Sequence, residues 1–230
     1  MSNLLWNFLN DGGSEAARGA VLRSLLGNAP PAPEDQRLFC WRGPTPGVDL
    51  IFADQHDVLQ ACVELKRLHS PAQYSAVRHA QAADLFRSVT GEADAVSATI
   101  HTVAAGLRQD RHPASNDTCG ADVWHTQRRR NKDGEHQWWC AIPQIDLYRG
   151  YCLLPRDKHT AVQPQDPRDV AWILISDDQR PVADRYPSAK SAACWTPRSW
   201  TEVLASLATA ATRLGDPHLE ALRSSINELR

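Results

Sequence analysis

The spacing of apolar and polar residues changes several times along the chain, and each change predicts a new element. Apolar residues at helical spacing predict a helix over 14–26, which Ser14 can cap and Gly27 can end. Two runs with period-two alternation, VDLIFAD at 48–54 and VLQACVELK at 58–66, predict two strands joined by the polar turn QHD. We predict a further helix over 72–88.

The second half of the chain continues the alternation of helices and strands. Strand-like runs at 138–148 and 169–176 precede an amphipathic helix over 201–229, which the Gly-Asp-Pro sequence at 215–217 interrupts. Asp146, in the first of these runs, is expected on the polar face of a strand rather than as a third metal ligand. The order of elements predicts an α/β fold, a single domain over 1–230 with a central mixed β-sheet flanked by helices.

The two strands of the first half predict a specific arrangement of charged residues. If they form a hairpin whose turn is centred between His56 and Asp57, the numbers of facing residues sum to 113, so Asp49 faces Glu64. Strand alternation places Lys66 on the same face as Glu64. The opposite face is then apolar and suits a core, and it carries Leu50, Phe52, Val63 and Leu65.

Two carboxylates and one ammonium on neighbouring strands indicate phosphate chemistry. Carboxylate oxygens are hard ligands that suit Mg²⁺ or Mn²⁺, and Lys66 would contact the scissile phosphate. Without Asp49 in register, Glu64 and Lys66 would be interpreted as a solvated ion pair of little energetic value. With Asp49 in place, the sequence favours metal-assisted hydrolysis of a phosphodiester.

This arrangement resembles a known family of nucleases. Asp49, followed after a hairpin by Glu64-Leu65-Lys66, is similar to the D…(D/E)xK signature of the PD-(D/E)xK phosphodiesterase superfamily. The resemblance implies a restriction-endonuclease-like fold, with Asp49, Glu64 and the Leu65 carbonyl as metal ligands and Lys66 as a catalytic residue. One departure is Val48, where the family signature has proline.

The context of the signature extends the resemblance over about residues 14–88, the expected catalytic core. Members of the family often carry a helical Glu near the metal and a Gln on the helix after the ExK strand. By resemblance, Glu15 and Gln81 would be auxiliary catalytic residues. Elements over about 108–230 would then supply target recognition and dimerisation.

The function that the resemblance implies is that of a Mg²⁺-dependent DNA endonuclease in which Mn²⁺ substitutes. A type II restriction endonuclease acting as a homodimer on double-stranded DNA is the leading expectation. A structure-selective, repair or phage-defence nuclease of the same superfamily is an alternative, and so is a nucleic-acid-binding module without catalysis. The recognition sequence, the number of metal ions and the choice of DNA over RNA stay open.

A basic run stands out against the charge balance of the chain. The formal net charge is −2, from 25 Lys and Arg against 27 Asp and Glu, which excludes a polybasic coat for nucleic acid. Yet Arg128, Arg129, Arg130 and Lys132 lie within five residues, in a segment expected to be a solvated loop. We expect these side chains to bind DNA phosphates.

The composition, 42% hydrophobic and 23% charged, fits a globular domain. No apolar run approaches the roughly 18–20 residues that span a bilayer, so we expect no membrane association. The first ten residues show no secretory signal, and a cytoplasmic location with free thiols is expected for the six cysteines. The alternative for two of these cysteines is a zinc site formed by Cys119, His125, His136 and Cys140.

Overall fold

The computed structural model describes the two ends of the chain and separate stretches of its middle. The described residues are 1–27, 48–54, 58–66, 74–78, 125–130, 134, 136–153, 170–178, 180–186, 189 and 191–229. Contacts divide the chain into two compact units. The first unit comprises Met1–Ser70, Pro155–Pro181 and Cys194–Arg230, and the second comprises Pro71–Leu154 and Val182–Ala193. This division does not test the prediction of one domain over 1–230, which stays a prediction.

Helices and strands alternate along the described residues. The elements are α1 (Ser2–Asp11), α2 (Glu15–Leu26), β1 (Leu50–Ala53), β2 (Leu59–Leu65), β3 (Tyr74–Arg78), β4 (His125–Arg130), β5 (His136–Pro143), α3 (Gln144–Leu153), β6 (Ala171–Ile175), α4 (Val182–Arg185), a 3-10 turn (Ala192–Cys194), β7 (Trp195–Arg198), α5 (Trp200–Leu214) and α6 (Pro217–Leu229). Among these described helices, none combines the length and the apolar content that crossing a membrane requires.

The first unit contains a four-stranded mixed sheet in the order β1-β2-β6-β7, which confirms the predicted α/β class. The β1–β2 pair is antiparallel, whereas β2–β6 and β6–β7 are parallel. The sequence did not predict β7, which contains Pro197. Proline is tolerated there because β7 lies at the edge of the sheet.

The β1–β2 hairpin has the predicted register. Leu50 pairs with Val63, Ile51 with Cys62 and Phe52 with Ala61, so facing numbers sum to 113. The register shifts after Phe52, where Ala53 pairs with Leu59, so the irregularity lies at the closed end of the hairpin. Towards the open end, the expected pairing holds as far as Leu50 and Val63, the pair next to the charged residues.

The helices of the first unit cover the apolar face of this sheet. Side chains of α1, α2, α5 and α6 form one buried cluster with Leu50, Phe52, Val63 and Ile173 of the strands. The predicted caps of α2 are confirmed, since the Ser14 side chain accepts a hydrogen bond from the Ala17 N–H and Gly27 ends the helix at positive φ. The predicted interruption of the last helix is also confirmed.

The opposite face of the sheet is buried too, which the sequence did not predict. Ile51, Cys62, Trp172 and Leu174 all lie below one-twentieth exposure there. The charged residues on this face are therefore surrounded by apolar neighbours rather than by water. Strands β2 and β6 therefore bury residues of both alternating sets.

The second unit contains a three-stranded antiparallel sheet in the order β3-β5-β4. The predicted helix over 72–88 is wrong at 74–78, where β3 pairs with β5. Pairing with a neighbouring strand decides the conformation of such a short segment over its local propensity. The predicted strand over 138–148 is correct as far as Pro143 and wrong beyond it, because α3 begins at Gln144.

Candidate metal centre

The open end of the β1–β2 hairpin brings two acidic residues together. Asp49 precedes β1 directly, and continuing the ladder by one residue from Leu50–Val63 places it opposite Glu64. The Leu65 N–H donates a hydrogen bond of 2.9 Å to Oδ2 of Asp49. The Asp49 carboxylate is therefore fixed against the strand that carries Glu64, as the predicted register requires.

Glu64 and Lys66 form a buried pair on the same face of β2. Lys66 Nζ lies 2.7 Å from Glu64 Oε1, and the two side chains are only 6% and 4% exposed, respectively. Asp49, in contrast, is half-buried. The pair is therefore not the solvated surface contact that the alternative interpretation of the sequence would give. Asp49 is the most accessible of the three residues.

Burial raises the pKa of the Glu64 carboxyl from 4.5 to about 8, and the nearby charge of Asp49 raises it further. The ammonium of Lys66 and the Asp49 backbone act in the opposite direction without cancelling the shift. At neutral pH the Glu64 carboxyl consequently holds a proton most of the time. A cation that bound there would have to displace this proton.

The donor atoms of this cluster fit a hard divalent cation. Oε2 of Glu64 is buried and accepts no hydrogen bond from the residues that the structure describes, so it is left with unused ligand capacity. Two carboxylates from adjacent strands provide the oxygen ligands that Mg²⁺ and Mn²⁺ prefer. Within the described part of the chain, no group of three or more His, Cys, Asp or Glu side chains is placed to hold a metal ion.

Of the two auxiliary residues predicted from the resemblance, Glu15 lies within the described part of the chain, and the structure does not bring it to this cluster. Glu15 is exposed in the first turn of α2, and that helix packs on the sheet face opposite to Glu64 and Lys66. Its position suits a favourable interaction with the helix dipole. Gln81 lies outside the described residues.

Asp146 is a buried residue of α3, so its expected place on the polar face of a strand is wrong. Its carboxylate accepts hydrogen bonds from the backbone N–H of Ser191, at 2.8 Å, and from the Ser191 hydroxyl. Both residues belong to the second unit. Asp146 therefore ties a loop to the helix.

The basic run lies on a strand and not in the expected loop. Arg128, Arg129 and Arg130 belong to β4, whereas Lys132 lies outside the described residues. Strand alternation places Arg128 and Arg130 on one face of the three-stranded sheet and Arg129 on the other. The three arginines are therefore not equivalent positions.

The β4–β5 hairpin carries three residues of the alternative zinc site, His125, His136 and Cys140. His125 pairs with Ala141, and His136 pairs with Arg130. The two histidines are thus five positions apart along the hairpin, or about 17 Å at the usual rise per residue. The zinc site stays a prediction. Cys119 lies outside the described residues.

One residue near the cluster was not found from the sequence. The indole N–H of Trp200 donates a hydrogen bond of 2.8 Å to the backbone carbonyl of Lys66. The two residues are 134 positions apart in the chain, and no spacing or motif links them.

Comparisons of this chain with protein-family models, with curated proteins and with solved structures found no match.

Proposed function

We propose that this chain is a Mg²⁺-dependent DNA endonuclease with a restriction-endonuclease-like catalytic core. The observation that carries the proposal is the Asp49 carboxylate, hydrogen-bonded to Leu65 N–H beside the buried Glu64–Lys66 pair. The signature D…ExK therefore corresponds to neighbouring side chains on two paired strands. A chance ExK on a strand would not require an acid at the facing position.

In this proposal, some residues of the cluster bind the cation and another acts in catalysis. Asp49 and Glu64 would hold the cation, with the Leu65 carbonyl as a further ligand. A bound divalent cation would supply electrostatic stabilisation of the negative charge that develops on the phosphoryl oxygens. Lys66, held by Glu64 at 2.7 Å, would donate a hydrogen bond to an oxygen of the scissile phosphate. Burial of the pair excludes water, which strengthens these electrostatic interactions.

The proposed substrate is double-stranded DNA, and the proposed state is a cytoplasmic homodimer that presents one cluster to each strand. A type II restriction endonuclease is the first choice within this class. A structure-selective, repair or phage-defence nuclease would use the same cluster on a different target. The arrangement of the cleavage products distinguishes these roles.

Incubation of the purified protein with supercoiled plasmid and Mg²⁺ tests this function. We expect nicked and then linear DNA, with no conversion in the presence of EDTA. Discrete fragments from a long duplex favour a restriction enzyme, whereas a smear or a preference for branched DNA favours the other nucleases. Binding of DNA without cleavage in Mg²⁺ or Mn²⁺ would contradict the proposal and favour a non-catalytic binding module.

The two faces of the β3-β5-β4 sheet give a prediction for DNA binding. A rigid duplex contacts one face of a sheet, so Arg128→Ala combined with Arg130→Ala should differ from Arg129→Ala. If the face with two arginines binds, the double variant lowers the salt dependence of log Kd by roughly 1.8, at 0.9 for each phosphate contact. Arg129→Ala then keeps the wild-type slope.

The measurement is a titration of a short duplex at several salt concentrations with all three proteins. The opposite pattern would assign DNA to the other face. Equal slopes for all three proteins would contradict a role of this run in DNA binding.

A further inference from the structure

The carbonyl of Lys66 receives a hydrogen bond from a buried tryptophan of a distant element. Trp200 is the first residue of α5 and has no exposed surface. Its Nε1–H donates to the Lys66 carbonyl oxygen at 2.8 Å. The Lys66 N–H donates in turn to the Ile175 carbonyl of β6, also at 2.8 Å. Both backbone polar groups of Lys66 are therefore fixed by residues outside its own strand.

The position of Trp200 is itself fixed by the start of α5. Ser199 caps the helix and accepts a hydrogen bond of 3.0 Å from the Glu202 N–H, while the Glu202 carboxylate accepts one of 3.2 Å from the Ser199 N–H. The preceding residue, Arg198, accepts a hydrogen bond from Ser176 N–H, which joins β7 to the end of β6. The indole is thus held by a rigid strand–helix junction.

These hydrogen bonds affect the end of β2, which carries the proposed ligands Glu64 and Leu65. Lys66 directly follows β2, so the strand pairing of β2 does not by itself fix the orientation of the Lys66 peptide. The direction of the Lys66 side chain, and its 2.7 Å contact with Glu64, depend on the orientation of this peptide. Groups that orient the ligands of a metal site usually matter for the affinity of the site.

A second buried tryptophan shows that burial alone does not require such a bond. Trp195 is 3% exposed, and its Nε1 has no hydrogen-bond acceptor among the described residues. The described residues of the first unit include three buried indoles, those of Trp172, Trp195 and Trp200. Of these, Trp200 donates to the ligand-bearing segment, whereas Trp195 has no acceptor among the described residues. This difference provides a matched control for the loss of a buried indole.

We propose that Trp200 is a positioning residue of the metal centre, whose indole N–H orients Lys66 and, through it, Glu64. This inference rests on the proposed function. It assigns a task in metal binding to a residue that touches neither the cation nor the phosphate. The effect of losing the N–H should therefore appear in metal affinity beyond any effect on stability.

Calorimetric titration of the full-length protein with Mn²⁺ tests the inference, with Trp200→Phe compared with Trp195→Phe. We expect Trp200→Phe to weaken Mn²⁺ binding roughly 10- to 100-fold, and Trp195→Phe to bind close to the wild-type value. Urea unfolding of both variants separates stability from affinity. A second variant carries benzothienylalanine at position 200, which keeps the shape of the indole without the N–H donor, and it should weaken binding even if Trp200→Phe fails to fold.

Three results would overturn the inference in distinguishable ways. Wild-type Mn²⁺ affinity in the benzothienylalanine variant would show that the Trp200 N–H does not act in metal binding, and it would leave the proposed function in place. Equal losses in Trp200→Phe and Trp195→Phe would assign Trp200 a purely structural role. Absence of Mn²⁺ binding by the wild-type protein would contradict the proposed function and, with it, this inference.

Discussion

Lys66→Met should lower the rate of plasmid cleavage roughly 10²- to 10³-fold while Mn²⁺ still binds. This range is typical for the removal of one preorganised donor aimed at developing charge. Methionine keeps the length and apolar stem of the side chain, which is only 6% exposed, but it removes the ammonium. Asp49 and Glu64 still supply the proposed ligands, although Glu64 loses its 2.7 Å contact with Lys66. Rates are therefore compared at saturating Mn²⁺, where the expected loss is that of the contact with the phosphate. Cleavage is measured under single-turnover conditions at pH 8.5.

A matched control removes a cation elsewhere in the first unit. Arg223 on α6 pairs with Glu220 at the surface, so Arg223→Met changes the net charge by the same amount. We expect wild-type cleavage by this variant, since exposed pairs contribute little and α6 packs on the sheet face opposite to Glu64 and Lys66. Cleavage by Lys66→Met at the wild-type rate would contradict a catalytic task for Lys66.

Glu64→Gln should stabilise the metal-free protein at alkaline pH and have little effect near pH 4.5. The pKa of Glu64 is about 8 in the folded protein against an ordinary value of 4.5, so the folded state retains a proton that the unfolded chain releases. The wild-type free energy of unfolding therefore falls as pH rises from 4.5 to 8. Below pH 4.5 the raised pKa does not reduce the free energy of unfolding. Above pH 8 the reduction is complete, at about 5 kcal/mol or less by the usual value per pKa unit.

The glutamine variant has no proton to lose and should escape this cost. Its advantage over the wild type, measured by urea unfolding with EDTA, should grow from pH 5 to pH 8 and then level off. Glu15→Gln is the matched control, because Glu15 is exposed and its removal should cost only a small dipole interaction, so the difference from the wild type should stay nearly constant across this range. A constant difference between Glu64→Gln and wild type across this range would show that burial does not shift the titration of Glu64.

The sequence predicts the hairpin well because local pattern and chemistry agree there. Strand alternation is a strong signal, and a shift by one residue would have moved Leu50 and Val63 out of the core. The same argument predicts which residues face each other, and the observed pairs confirm it. The caps of α2 are equally local, since Ser14 and Gly27 act within one turn of the helix ends.

The features that the sequence does not predict depend on contacts between distant parts of the chain. Glu64 is buried beside Leu174 of β6, a strand that begins more than a hundred residues later and pairs with β2 on its second edge. The strand β3 follows from pairing with β5, and the hydrogen bond of Trp200 joins α5 to the end of β2. Periodicity reports on one element at a time, so it cannot show which elements meet.

Mn²⁺ titration of wild type, Asp49→Asn and Glu64→Gln at pH 8.5 tests the central claim most directly, with Glu15→Gln as the control. If Asp49 and Glu64 hold one cation between the two strands, wild type and Glu15→Gln bind Mn²⁺, and each of the other variants loses this binding. Binding that survives both Asp49→Asn and Glu64→Gln would contradict the claim, as would its absence from the wild-type protein.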